Sequence, residues 1–325
     1  MGLERIASKA FLVIGRVGMD LTPSPAGART RDATAMMVAM GGSSANIAAG
    51  LCKLGCKAAL LTTVSDDSIG WYCLDQLDHY GIDRRHVTAI KGEVRTSLAV
   101  YETRMDEHQS VIYRNNAADF QMTVADVEAV DYTAYGGLIT TGTVFSAEPS
   151  RRAAFRAFEL ASAAGVPIIL DVDYRPYSWP SSTIAQDVLS RAAELSDVIV
   201  GNDEEFGFMA GDINKGLEKA RALRDAGATI VVYKRGPDGS ITFAEGGEIR
   251  TGIFPVTALK PTGAGDSFLA GFLASLGEGR PMREAILRGS ACASIVVAKP
   301  GCAPAMPFVA ELEAFLSAHP GVTSA

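Results

Sequence analysis

Long apolar runs are missing from this chain of 325 residues. No stretch reaches the roughly 18 consecutive apolar residues that cross a bilayer. Residues 11–18 are apolar but few, with charges before them and Asp20 after, so they read as a first buried strand and not as a secretory leader. Positive charge is also short: 30 Lys and Arg stand against 37 Asp and Glu, a net of −7, with no basic run. That argues against a nucleic-acid partner, which needs a basic face. Cysteine is sparse. The five, Cys52, Cys56, Cys73, Cys292 and Cys302, are odd in number, form no Cys-x-x-Cys pair and find no matching pair for zinc. They read as free thiols of a reducing, cytoplasmic compartment. Neither the Walker loop nor the Gly-x-Gly-x-x-Gly fingerprint after a first strand is present. Internal repeats and low-complexity segments are absent too. What remains is an ordinary globular composition, 48% hydrophobic and 21% charged, which excludes disorder as the main state.

Strands and helices alternate along most of the chain. Residues 10–14, 58–64, 137–141, 166–172, 198–201, 229–234 and 240–243 read as strands. Residues 45–54, 149–164, 184–195, 203–210 and 216–225 read as helices, with Gly55 placed to cap the first. Such alternation implies an α/β fold with a mostly parallel sheet covered on both faces. Residues 22–28, rich in Pro, Gly and Ser, read as a loop. Residues 95–113 break the alternation. Two extended segments around a polar turn at 105–109 predict a hairpin outside the main sheet, grouped with the segment near 21–40. The expectation is one unit over 1–320, with lid segments at about 21–40 and 95–116 inserted and a frayed end from about residue 321.

The most informative stretch is Lys260-Pro261-Thr262-Gly263-Ala264-Gly265-Asp266-Ser267-Phe268. Apolar helical spacing follows at once, so the glycines sit at a helix N-terminus, where orphan N–H donors and a partial positive charge favour an anion. Asp266 in that turn is either a simple helix cap or a base placed to take a hydroxyl proton beside a phosphoryl group.

With Gly41-Gly42-Ser43-Ser44-Ala45-Asn46-Ile47-Ala48 near the other end, the chain resembles the ribokinase-like (PfkB) carbohydrate kinases over about residues 10–315. The resemblance implies a ribokinase-like fold: a central mostly parallel sheet flanked by helices, with a small β lid. It implies ATP and Mg2+ as cofactors, and lids that pair between subunits, hence a homodimer or higher homo-oligomer. Asp266 looks like the catalytic base and Gly263, Ala264 and Gly265 like the anion hole. Asn202 and Glu205 resemble an Asn-x-x-Glu motif that organises phosphate and metal, the metal falling to Glu205; the simpler reading of Asn202 is a helix cap. Lys234, Gly236 and Gly239 resemble the nucleotide-binding strand and turn, and otherwise are a plain hairpin turn. Asp20, Gly42 and Asn46 take the sugar side. One departure stands out. Lys260 and Pro261 replace the usual acidic residue and Thr. The resemblance ties that acid to a monovalent-cation site, so here Lys260 is expected to supply positive charge near the phosphates instead.

Three arginines at predicted strand ends, Arg95, Arg114 and Arg175, suit a carboxylate. Each is otherwise an ordinary ion pair. Arg95-Thr96-Ser97-Leu98-Ala99, residues 113–119, residues 171–179 and Leu259-Lys260-Pro261 resemble the subfamily that phosphorylates the 6-hydroxyl of 5-dehydro-2-deoxygluconate in inositol catabolism. A kinase of 2-dehydro-3-deoxygluconate, or one of the fructokinase or ribokinase type, is the nearest alternative. A silent sugar- or nucleotide-binding sensor and a dinucleotide-dependent oxidoreductase are the readings from other classes.

Overall fold

The computed structural model describes residues 3–104, 107 and 109–320. Most of the expected turn at 105–109 and the expected frayed end from 321 lie outside the described residues. Thirteen strands occur among them: β1 Ala10–Ile14, β2 Gly18–Ser24, β3 Ala35–Gly41, β4 Lys57–Ser65, β5 Asp83–Ile90, β6 Leu98–Tyr101, β7 Ser110–Tyr113, β8 Gly137–Thr141, β9 Ile168–Asp171, β10 Val198–Asn202, β11 Ile230–Lys234, β12 Ser240–Ala244 and β13 Gly247–Thr251. The helices are α1 Ser43–Lys53, α2 Ser68–His79, α3 Val124–Glu128, α4 Ser150–Ala163, α5 Ser182–Glu194, α6 Asp203–Ala210, α7 Gly216–Asp225, α8 Ala264–Gly277, α9 Met282–Val297 and α10 Val309–Ala318.

Nine strands form the main sheet in the order β13-β12-β11-β10-β9-β8-β1-β4-β5. Seven of them pair in parallel; at one edge β12 pairs antiparallel with β11 and β13 antiparallel with β12. The pleat explains the layering, because side chains alternate between faces. Phe11 and Val13 of β1 join the cluster that takes in α1, α8 and α9, while Leu12 and Ile14 join the cluster under α4 to α7. The chain order reverses beside β1, with β4 on one side and β8 on the other. Open α/β sheets bind ligands beyond the carboxyl ends of strands at such a point.

A second sheet, in the order β3-β2-β6-β7, stands apart. Its hairpins are antiparallel and joined by a parallel β2–β6 pair. This is the expected lid, with one difference. Residues 22–24, read as loop, continue β2 and pair with β3. Pro23 is tolerated because β6 pairs no further than Leu21, so proline lies past that ladder.

Candidate active site

A cavity of about 1230 Å³ opens over the carboxyl ends of the parallel strands, between the main sheet and the lid. Its lining draws Arg16 from the β1–β2 turn, Asp20 from β2, Asp173 and Arg175 from the segment after β9, and Lys234 from β11. Thr262 to Asp266 complete one wall.

Asp266 lies in the first turn of α8 and is 8% exposed. The turn begins at Gly263, whose φ of +84° is left-handed; a Cβ there would lie 3.0 Å from Cys302 Sγ. Backbone hydrogen bonding inside the helix starts with Ser267 N–H to the Gly263 carbonyl at 3.1 Å. The preceding amides are therefore the orphan donors of a helix start. Asn46 of α1 donates its Nδ2 to Asp266 Oδ2 at 2.8 Å. Asn46 is presented by the start of α1, which Gly42 initiates at a φ of +100° with the Arg16 carbonyl 2.3 Å from where a Cβ would stand.

Charge is concentrated here. Burial, aided by the Asp173 carboxylate, pushes the Asp266 carboxyl up to about 6, against the Asn46 hydrogen bond and the cations Arg175 and Lys234. Burial likewise lifts Asp20 to about 6, opposed by Arg16 and Lys260. One oxygen of Asp20, and the Asn46 carbonyl oxygen, are buried with no partner. Buried acceptors without partners cost free energy, and both groups line the same cavity. Asp171 and Glu205 are also raised by burial, with Lys234 opposing in each case.

The other expected residues divide into two groups. Asn202 and Glu205 form a reciprocal capping box at the start of α6, with both side chain–backbone bonds at 2.8 Å, and both line the cavity. The second Glu205 oxygen accepts from Tyr174 N–H at 3.2 Å. Gly236 and Gly239 bracket the turn after β11 and also line it. Arg175 reaches Asp173 at 2.9 Å. Arg95 and Arg114 do not line the cavity. Arg95 donates to the Gly92 and Val94 carbonyls at 2.7 and 2.9 Å. Arg114 is buried against Asp119, the Thr143 carbonyl and the Phe120 ring. Lys260 is wholly buried behind the loop and is not in the lining.

Arg16 is the lining residue that sequence reasoning passed over. It sits in Gly15-Arg16-Val17-Gly18, directly after the first strand, and donates to Ser97 Oγ at 2.9 Å. Its position beyond a strand's carboxyl end was the available signal. Asp171 and Asp173 were noticed only as part of a longer stretch.

Oxygen-rich carboxylates facing a lysine, beside free amides at a helix start, suit a nucleotide triphosphate and a hard divalent cation. No ready-made cluster of three metal-binding side chains occurs among the described residues. Mg2+ fits that arrangement, because it keeps several waters and is held largely by phosphates.

An open parallel sheet, a carboxylate at a glycine-rich helix start and a lid over the cavity define a small-molecule phosphotransferase. Residues 9–308 match the pfkB family carbohydrate kinase model, and the chain belongs to that family. It is 36% identical over 314 residues to a 5-dehydro-2-deoxygluconokinase of Geobacillus kaustophilus, covering 95% of this chain and 94% of the relative. A protein of that name from Photobacterium profundum is 35% identical over 302 residues, 91% of each chain. Among solved structures, a PfkB protein of Polaromonas sp. JS666 superposes with a TM-score of 0.82 at 28% identity, covering 94% of this chain and 99% of that one. A fructokinase of Vibrio cholerae O395 shares the fold with a TM-score of 0.84 at 23% identity, over 95% and 99% of the two chains.

Proposed function

We propose that this protein transfers the γ-phosphoryl group of ATP to the 6-hydroxyl of 5-dehydro-2-deoxygluconate, a step of inositol catabolism. One observation carries the chemistry: a buried carboxylate, Asp266, held by Asn46 beside unpaired helix-start amides in a single cavity. The acceptor is supported by relatives of that name at 34–37% identity. It is supported independently by two guanidinium groups, Arg16 and Arg175, in the lining, since a neutral sugar needs neither. Arg16 is the better candidate for the substrate carboxylate, because Arg175 already pairs with Asp173.

In the mechanism, Asp20 and Asn46 accept hydrogen bonds from sugar hydroxyls through their unpartnered oxygens. Asp266 takes the proton of the primary hydroxyl. The oxygen then bonds to the γ-phosphorus as the bond to the β–γ bridging oxygen breaks, and ADP leaves. The amides of Gly263, Ala264 and Gly265 meet the charge on the transferred group. Lys234, Asn202, Gly236 and Gly239 hold the nucleotide side, and Glu205, backed by Asn202, would hold Mg2+ through water. Bound there, Mg2+ would neutralise charge on the phosphates.

The working unit is one kinase domain over residues 1–320, with lid segments at about 21–40 and 95–116. Exposed Met36, Met37, Val38, Val111 and Tyr113 on the lid's outer strands support pairing of two copies through their lids. Five free cysteines support a cytoplasmic setting.

A coupled assay of ADP release tests the acceptor. It compares 5-dehydro-2-deoxygluconate with 2-dehydro-3-deoxygluconate, fructose and ribose. We expect kcat/KM for the first to exceed that for the neutral sugars by at least ~10²-fold, the scale on which a site built for a polar group rejects a substrate that lacks it. Equal activity on fructose or ribose would remove the reading.

A further inference from the structure

Lys260 is a buried cation that the mechanism leaves unused. It has no exposed surface. Its Nζ donates to the Thr262 carbonyl at 2.6 Å and to the Val296 carbonyl at 3.2 Å. Both partners are uncharged backbone oxygens. Asp20, Asp266 and Cys302 favour its charge only through space, and burial lowers its pKa. A buried ammonium is costly unless its surroundings make use of the charge.

The two carbonyls show what the charge does. Val296 lies in the last turn of α9, whose carbonyl end is the negative end of the helix. The backbone amides of Leu259 and Lys260 both reach the Val297 carbonyl, so the same helix end anchors the chain on either side of the side chain. Thr262 C=O belongs to the same peptide plane as the Gly263 N–H. That plane is trans, since the cis bonds of the described chain are Ser24–Pro25 and Glu148–Pro149. In a trans peptide C=O and N–H point opposite ways. A cation on the carbonyl side therefore fixes the N–H on the cavity side, where Gly263 lies. It also polarises the peptide and strengthens that donor.

We propose that Lys260 is a positioning residue: its ammonium is an internal cation that clamps the start of α8 to the end of α9 and aims the Gly263 N–H at the transferred phosphoryl group. The proposal rests on the anion cradle described above and deepens it. It replaces the expectation that Lys260 reaches the phosphates itself.

The test uses the full-length protein. Lys260→Met keeps the bulk and removes the charge. Its kcat should fall by about 10- to 10²-fold, somewhat less than the loss of a whole oxyanion donor. ADP affinity should weaken, and the KM for the sugar acceptor should stay near that of the wild type. Lys260→Ala leaves a carbonyl-lined space. Ammonium or methylammonium chloride should restore several-fold activity there, and tetramethylammonium chloride at equal ionic strength should not. A folded Lys260→Met protein with wild-type kcat and ADP affinity would overturn the proposal. So would a loss shared equally by acceptor KM, with no cation rescue. If neither variant folds, the wild type decides. It should turn over equally fast in potassium and in tetramethylammonium salts, and a need for added small cations would overturn the proposal. Wild-type turnover of the keto acid tests the acceptor separately, while ADP affinity needs no acceptor and reads the loop alone.

Discussion

Asp266 is a group whose burial works against the fold and for the chemistry. Its carboxyl sits near 6, above its ordinary 3.8, because burial and Asp173 disfavour the charge. A base must be ionised to take a proton, so kcat/KM should decline as pH falls through about 6. Asp20 titrates in the same range, so the acid limb should be steeper than a single ionisation. A pH–rate profile checks both, and a flat profile down to pH 5 would contradict them. Linkage has the opposite sign for stability. A carboxyl raised in the folded state binds more protons folded than unfolded, so its contribution is lost as pH rises from about 4 to about 6. Asp266→Asn removes that penalty. At pH 8 it should be more stable than the wild type by on the order of 3 kcal/mol, with the difference fading toward pH 4 in denaturant titrations. The same variant should lose at least ~10²-fold in kcat while keeping ATP affinity. Arg16→Gln should cut kcat/KM for the keto acid by about 10- to 10²-fold, as the loss of a charge-assisted hydrogen bond does. It should barely alter the slow reaction of a neutral hexose. If acid and neutral substrates fell together, Arg16 would be structural.

At the scale of elements, the glycine-led helix starts and the lid do the positioning. Gly42 and Gly263 need left-handed backbone, and the spaces their Cβ atoms would enter are filled by the Arg16 carbonyl and by Cys302. Gly263→Ala should cost at least about 1–2 kcal/mol from φ alone and lower kcat, measurable together by thermal unfolding and steady-state rates. The lid strand β6 places Tyr101 Oη 3.9 Å from Cys302 Sγ, which packs beside the Gly263 turn. Shortening the β6–β7 hairpin should raise ATP hydrolysis relative to sugar phosphorylation, because water is then admitted. These elements were largely legible in the sequence. Gly41 to Ala48 and Gly263 to Asp266 carry their own turn and helix-start chemistry, and short continuous apolar runs alternating with helical spacing announce the sheet and its cover. Partners distant in sequence were not legible. Arg114 reads as a substrate-carboxylate candidate or an ion pair, and its partners Asp119 and the Thr143 carbonyl appear only in the fold. Arg16 reads as a turn residue until β2 and Ser97 bring it over the cavity. Lys260 shows nothing of its burial, because α9 supplies the carbonyl 36 positions along. Pro23 was misleading for a similar reason: its tolerance depends on where a neighbouring strand stops.

For the molecule as a whole, the sheet reversal beside β1 creates the crevice, and the lid sheet closes one side of the cavity. The exposed apolar residues of the lid's edge strands predict a concentration-dependent dimer in light scattering that Met37→Glu with Val38→Lys converts to monomer. A monomer in the wild type at micromolar concentration would contradict it. One measurement bears most directly on the central claim: a crystal structure of the protein with a non-hydrolysable ATP analogue and the keto acid. The account predicts the terminal phosphate against the amides of Gly263 to Gly265, with the 6-hydroxyl between that phosphorus and the Asp266 carboxylate. A terminal phosphate bound elsewhere, or an acceptor hydroxyl out of hydrogen-bonding reach of Asp266, would contradict it.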